Sequence, residues 1–588
     1  MVWSSRRRVK LATFSDLYQT LATPSSSFCN AGIGVRISMT SISFYLLGES
    51  PSTARLIEIP EPVDYESLQY TVASHFAIVH PKGIAFNTQD SVIESVADIL
   101  AQEDPVAITI DGRAVRAVPG PQGLPYIGNY FEIFPDHVGN HQRLYNQYGP
   151  LFKTTNMGSV IYHTNDATLS AIVFSESDFF SKNIIEGHPM RPLKNKDAGI
   201  FVSDTDTEEW RVSHKFISPA LGPKAVRHYA PIMQQAVDET FPVFDELHKR
   251  DEAWNPWPYM LKLSSSIIGK LVLGMDFKHF TSVDTPMHEV PRLIAISLEL
   301  NKKISSKGDW YSKLPFGDPA RLRVLRKRLE FLINESIENA SKGVEDLELQ
   351  EAALKAENIV DYLQRATDNK GNKMPKDRLV YPLIVTAAAG FTTTTTILAW
   401  LIYGLVEYPG MQDRLLQELI DNGFKEDTVV TVDLIGKLEF LNAFVKETLR
   451  RHSPSFQPAR TSRVDMILPG AYKLPKNSIV IPGTWHVHNN PKAWDNPTKF
   501  DPDRWLGDPN NIPQGAFIPF ATGARMCIGN SYVLQAVKIF IPKLVYRYEF
   551  SQASEEAVEY EPYFQLIRPT NLYVRTERRV KWPPRTEA

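Results

Sequence analysis

From Leu379 to Val406 the chain carries no charged residue, and so long a stretch must either cross a membrane or be enclosed by other protein. Pro382, Gly390 and five consecutive threonines from Thr392 to Thr396 interrupt it, and polar hydroxyls facing lipid weaken insertion. A long helix through the centre of a large soluble core is therefore expected. The chain has the material for such a core, since 43% of its 588 residues are hydrophobic and 22% charged. Lys and Arg number 64 and Asp and Glu 67, for a net charge of −3. With no positive surplus to attract a polyphosphate, nucleic acid is not an expected partner. The two cysteines, Cys29 and Cys527, supply neither a disulfide framework nor a zinc site built on several thiolates.

Strong punctuation divides the chain once, at Pro119 to Pro125 (PGPQGLP), where fixed φ angles alternate with residues that permit sharp bends. Before it, residues 54–59 read as a strand, 64–78 as an amphipathic helix, 84–88 as a strand and 105–116 as a hairpin turning at Asp111-Gly112. This order resembles a β-grasp, ubiquitin-like module, either docking to an unknown partner or purely structural. After it the pattern is mostly helical to about residue 460, with apolar recurrence over 320–340 and 400–420. Residues 344–357 read as an acidic helix or linker, and short strand-like runs fall at 151–164, 466–483 and 562–575. The expected organisation is residues 1–52 as a basic disordered or targeting segment, 53–117 as a small α+β module, and 118–588 as a main domain that is mainly α with small β-sheets. Arg6, Arg7, Arg8, Lys10 and Arg36 against the single acid Asp16 read as a mitochondrial transit peptide or as a disordered basic tail. The uncharged run Ile37 to Gly48 is too short to span a bilayer.

The densest chemical signal is Phe520 to Gly529 (FATGARMCIG), which precedes an apolar helical run containing Val533, Val537, Phe540 and Leu544. Cys527 is expected just ahead of a helix N-terminus, where unpaired N–H groups and the helix dipole favour the thiolate, the form that binds metal. Gly523 and Gly529 let the backbone pass close to a flat ligand, and Arg525 offers a charged fork to a carboxylate. The alternative is a buried free cysteine acting as a small hydrophobe. Glu447 and Arg450, three apart on a helical face, can pair. His486 and His488 could bind a metal from one strand face, but no third ligand is near. Pro542 falls inside the helix after the cysteine and is expected to kink it.

At every fixed position the string matches Phe-x-x-Gly-x-Arg-x-Cys-x-Gly, the haem-thiolate signature of the cytochrome P450 family. From about residue 119 to 580 the chain resembles that family, with the flavour of its fungal microsomal-type members. The resemblance implies a mostly helical fold with small sheets and a haem b whose iron takes Cys527 as axial ligand, with further cofactor contacts from Phe520, Gly523 and Arg525. It implies that Glu447, Arg450 and the Arg504 of Pro502-Asp-Arg504-Trp form a buried network locking the cysteine loop. Trp210 and His214, the latter where arginine is common, and Arg460 would hold the haem propionates. Thr393 stands at the place of a proton-relay threonine on a long distal helix, and Thr392 stands where an acid is usual. Hydroxyls pass a proton along a hydrogen-bonded chain but do not supply one at neutral pH. Substrate contacts would come from Val385, Ala389, Phe456 and Phe564, which implies a lipophilic substrate such as a secondary metabolite or a fatty acid. The implied activity is monooxygenation with O2, since thiolate donation favours O–O cleavage. Electrons would come from NADPH through a separate NADPH–cytochrome P450 reductase, because no glycine-rich nucleotide fingerprint appears. The implied location is the cytosolic face of the endoplasmic reticulum without a clear N-terminal anchor, with the mitochondrion as the alternative. Two further readings stay open: a haem-thiolate isomerase or dehydratase acting without reductase, motivated by Thr392, and a non-enzymatic docking protein working through residues 53–117.

Overall fold

The computed structural model describes residues 38–88, 91–194, 199–339, 345–455 and 458–586. The basic leader up to Ile37 and Cys29 lie outside the described residues. The described residues form two compact units, one containing those from Ser38 to Gly120 with Ile172–Ser181 and Arg460–Val480, the other the remainder.

The first unit opens with β1 (Ser38–Leu46), β2 (Arg55–Glu61), helix α1 (Tyr65–Phe76), β3 (Ile84–Asn87), β4 (Val92–Ile93), β5 (Val106–Ile110) and β6 (Arg116–Ala117). Five of these strands form one sheet in the order β2-β1-β5-β3-β4, with β1 and β5 parallel and the other pairs antiparallel. This is the topology of a β-grasp, as the order of elements implies. The module begins earlier than residue 53: Ile42, Phe44 and Leu46 alternate inward from β1 and are buried, which a Ser- and Thr-rich segment beside a basic leader conceals. The hairpin expected over 105–116 does not form. Asp111 and Gly112 do take positive φ, 49° and 68°, yet the turn closes with a single bridge, Ile110 to Arg113. The reason is topological, because β5 already has β1 and β3 on its two edges and has none left for a hairpin partner. The chain continues instead to β6.

The same unit takes in an arm from the far end of the sequence, built of β7 (Arg460–Ser462), β8 (Met466–Leu468), β9 (Tyr472–Leu474) and β10 (Ile479–Pro482). At its base β7 pairs with β10, and at its tip β8 pairs with β9. There β6 runs parallel to β9, with Tyr472 opposite Arg116.

The second unit is mostly helical. Its hydrophobic core surrounds α4 (Val380–Glu407), which packs on α3 (Pro256–Ile268) and buries Phe391, Ile397, Leu398, Leu401 and Ile402. By length and composition α4 could cross a membrane, but most of its apolar stretch is enclosed by protein, as a core helix requires. Gly390 sits where α3 comes close, since a Cβ there would lie 2.6 Å from Ile268 Cδ1. The threonine run is accommodated by bonding backward along the helix: Thr392, Thr395 and Thr396 donate to the carbonyls of Ala388, Phe391 and Thr392. Ser264 of α3 adds a hydroxyl–hydroxyl contact to Thr395 at 2.6 Å. Residues 349–355 are helical, and the run 151–164 is the antiparallel hairpin Leu151–Asn156 with Ser159–Thr164. Of 562–575 only the last two residues are strand, in Val574–Arg578. Pro542 is accommodated within the single helix assigned from Asn530 to Arg547.

Candidate active site

Cys527 lies between a short helical turn, Gly523–Arg525, and the helix Asn530–Arg547. The loop closes on itself, with Cys527 N–H donating to Phe520 O at 2.9 Å and Met526 N–H to Gly523 O at 3.1 Å. Closing so tightly requires positive φ at Ala521 and at Gly523, 56° and 75°, and only glycine takes that conformation without strain. The thiol is accessible through a cavity of about 310 Å³ lined by His214, Leu221, Gly222, Met526, Cys527 and Ser531 among others. A Cβ on Gly529 would meet no protein atom within 4 Å. Two effects oppose each other at the sulfur. Burial pushes the Cys527 thiol up from its ordinary value, with the Gly529 backbone N–H acting the other way. A metal bound at this sulfur would deprotonate the thiol outright.

Three of the expected cofactor residues meet on one face of this region. Helix α2 (Glu208–Ile217) is capped by Thr207, whose hydroxyl accepts from Trp210 N–H, and its next turn brings the His214 ring to 5.1 Å from the Trp210 ring. The Arg525 guanidinium lies over Trp210 at 4.9 Å and is anchored through Nη2 to the carbonyls of Phe201 and Ser203 at 3.1 and 3.0 Å. Burial, then the Arg525 charge, lowers the His214 pKa, which disfavours the imidazolium. Arg460 is in the first unit, where it is buried, paired with Glu176 and placed over the Phe174 ring at 5.1 Å.

On α4 the expected contact positions differ from their neighbours in burial. Thr392, Thr394, Thr395 and Thr396 are buried, whereas Thr393 is half-buried, Val385 likewise, and Ala389 exposed. Residues four apart share a helix face, so Val385, Ala389 and Thr393, none of them fully buried, fall along one strip of the helix. The Thr393 hydroxyl donates to Ala389 O at 2.6 Å. Phe564 is buried, packed edge-on against Trp257 with ring centroids 5.8 Å apart, and Phe456 lies outside the described residues.

Helix α5 (Glu439–Arg451) carries the charged network. Glu447 and Arg450 are fully buried and joined by two parallel bonds, Nε to Oε2 at 2.9 Å and Nη2 to Oε1 at 2.8 Å. Arg504 Nε reaches the same carboxylate at 3.2 Å. Two further donors complete it: Trp505 Nε1–H at 2.8 Å and the Asp501 backbone N–H at 2.8 Å. Trp505 was visible in the sequence as the residue after Arg504, but nothing local marked it as a donor. Arg450 Nη1 also donates to His488 O at 2.8 Å, and His488 Nε2 in turn accepts from Ile518 N–H at 2.9 Å. Ile518 O accepts from Ala521 N–H at 3.1 Å, so the network is tied to the cysteine loop through an imidazole.

His488 and His486 close a short helix, Thr484–His488, in place of the expected strand, and His486 Nε2–H donates to Val138 O at 2.9 Å. Among the described residues no group of three or more His, Cys, Asp or Glu side chains is arranged to hold a metal ion. Burial, then the Arg450 charge for His488 and the His141 charge for His486, pulls both down to about 3. Their folded pKa lies below the unfolded value, so the unfolded state binds more protons between about pH 6.5 and 3, and stability falls as pH falls through that window. Each contributes a slope of up to about 1.4 kcal/mol per pH unit. Calorimetry is expected to show Tm dropping from pH 7.5 to 5, with a smaller drop in His488→Gln, which keeps an acceptor for Ile518 without titrating. A Tm independent of pH over that range would contradict a neutral His488.

Comparison with known proteins agrees with this geometry. The family model described as Cytochrome P450 matches residues 118–574. Cytochrome P450 monooxygenase alnD of Emericella nidulans is 45% identical over 554 residues, covering 93% of this chain and 100% of that protein. Cytochrome P450 3A5 of Homo sapiens is 24% identical over 464 residues, 75% of this chain and 87% of its own. The bifunctional cytochrome P450/NADPH--P450 reductase ascE of Acremonium egyptiacum is 24% identical over 480 residues, 79% of this chain and 43% of that one.

Proposed function

This chain belongs to the cytochrome P450 monooxygenase family, and from that premise we propose that it oxidises a lipophilic small molecule, a secondary metabolite or fatty acid, with electrons from a separate NADPH reductase. The observation that carries the reading is the accessible Cys527 thiol at the head of a self-closed loop. The donor set fits a metal held in a flat ring. One thiol is offered, and no cluster of further protein ligands stands ready among the described residues, so a metal held here would take its other ligands from such a ring. Bound haem supplies O2 activation and oxygen transfer, with thiolate donation from Cys527 favouring O–O cleavage.

The chain's own residues do the rest. Arg525, Trp210 and His214 offer a guanidinium and two ring N–H groups to the propionates, and Arg460 is the further partner proposed from its place in the sequence. Glu447, Arg450 and Arg504 hold the segments around the loop. Val385 and Ala389 present apolar surface that orients a hydrocarbon and excludes water, and Thr393 holds a proton at Oγ1 beside them. Thr393→Ala is expected to lower product formed per NADPH consumed by about tenfold, less than the ~10²–10⁴ of a full general acid because water can stand in. Unchanged coupling would remove Thr393 from proton delivery. The bifunctional relative carries a reductase in its own name, which supports NADPH as the electron source. The proposed location is the cytosolic face of the endoplasmic reticulum.

Extracts of the source organism with and without the gene test the reading by mass spectrometry. Accumulation of a compound one oxygen atom lighter than the normal product is expected. Thr392, buried and donating to Ala388 O, leaves Thr393 without the adjacent acid and favours a second reading, rearrangement without reductase. In that case the accumulating compound is an isomer of the product and turnover persists without NADPH.

A further inference from the structure

We propose that residues 38–117 are an intramolecular clamp that grips the tip of the arm Arg460–Val480 and so positions Arg460 at its base, with Asp111 and Arg116 as positioning residues. Both edges of the tip are taken by the module. On the β8 side, Ile467 N–H donates to Ala77 O and Val79 N–H to Ile467 O, each at 3.0 Å. On the β9 side, Arg116 N–H donates to Ala471 O at 2.9 Å, and the Arg116 guanidinium covers the Tyr472 ring at 4.3 Å. The turn between the strands is held from the Asp111-Gly112 turn, where Asp111 Oδ2 accepts from Gly470 N–H at 2.7 Å. Lys473 pairs with Glu49.

The grip is mutual. Ile467 and Ala471, 6% and 0% exposed, belong to the same hydrophobic cluster as Phe44, Leu68, Phe86 and Ile108 of the module, so the module's core is incomplete without the arm. An unpaired two-stranded hairpin is marginal in water, and an element stabilised by a neighbour stabilises that neighbour equally. From tip to base the arm is continuous: Asn477 N–H donates to Ser462 O at 3.0 Å, Ser478 N–H to Ser462 Oγ at 2.8 Å, and Arg460 stands opposite Val480. The family match begins at residue 118 and leaves the module without a family role. The match to the Emericella protein leaves uncovered fewer residues than the module contains, so at least part of the module lies within that match.

Hydrogen exchange of the full-length protein tests the clamp, comparing Asp111→Ala/Arg116→Ala with Glu58→Ala on the outer face of β2 as control. Both positions are exposed, so the double variant is expected to fold. Peptides at the arm's base, Arg460–Ser462 and Asn477–Val480, should exchange about tenfold faster in the double variant and not in the control. Asp111→Asn, which keeps an acceptor for Gly470, should leave exchange there unchanged. Exchange confined to 468–473, or equal in all variants, overturns the clamp. The functional reach of this inference rests on the proposed role of Arg460, and the two fail separately. Faster haem transfer to an acceptor globin in the double variant supports both, whereas a loosened arm with unchanged haem transfer, matched by unchanged transfer in Arg460→Gln, sinks the Arg460 role and leaves the clamp standing.

Discussion

Replacing Cys527 with alanine is expected to abolish the thiolate-type spectrum of the carbon monoxide complex and with it all oxygenation. The effect should be complete because the loop offers no second thiol, the neighbouring Met526 sulfur being a thioether that cannot become a thiolate, and no cluster of His, Asp, Glu or Cys among the described residues could take over the metal. Cys527→Ser is the sharper variant. It preserves shape and the N–H bond to Phe520 while replacing a thiol with a hydroxyl that resists deprotonation far more strongly. Both variants should fold, since Cys527 is not among the buried core residues, and their circular dichroism should match the parent. A thiolate spectrum surviving in Cys527→Ala would refute the ligand assignment.

Glu447→Gln carries the second large effect, and it is on folding. The carboxylate accepts from Arg450, Arg504, Trp505 and the Asp501 backbone in a fully buried position. Removing its charge leaves the Arg450 guanidinium enclosed without its anionic partner, a loss of roughly 3–5 kcal/mol in comparable cases. That is a large part of the ~5–15 kcal/mol that holds a domain folded. The expected outcome is little or no soluble holoprotein. Trp505→Phe removes one donor and should cost about 1–3 kcal/mol by leaving that acceptor short, measurable as a lower Tm with haem retained. If Glu447→Gln melts within a degree or two of the parent, the network does not carry the loop.

These two sites differ in how much of them could be read before the structure. Phe520, Gly523, Arg525 and Cys527 are close together in the chain, so one local segment brings them together and a local pattern suffices to pick them out. Glu447 and Arg450 are legible for the same reason, being one turn apart. His488 was not. Its bond to Ile518 joins residues thirty apart, and nothing in the string Trp485 to Asn490 marks which backbone group the imidazole will meet. The beginning of β1 and the missing 105–116 hairpin fail on the same ground, because strand partners are chosen by the whole sheet and not by the segment. The arm joining β6 is the extreme instance, a pairing across more than three hundred residues that no local pattern announces. The helix-terminus argument for a thiolate has the right sign for the Gly529 N–H, which lowers the Cys527 pKa, but it leaves out desolvation, which raises it.

The most direct test of the central claim uses the purified full-length protein, loaded with haem and supplied with NADPH, a cytochrome P450 reductase and isotopically labelled dioxygen, acting on the compound that accumulates when the gene is removed. Monooxygenation predicts one labelled oxygen atom in the product and no turnover without NADPH. A product that forms without NADPH and carries no label would contradict it and make the chain a haem-thiolate isomerase or dehydratase.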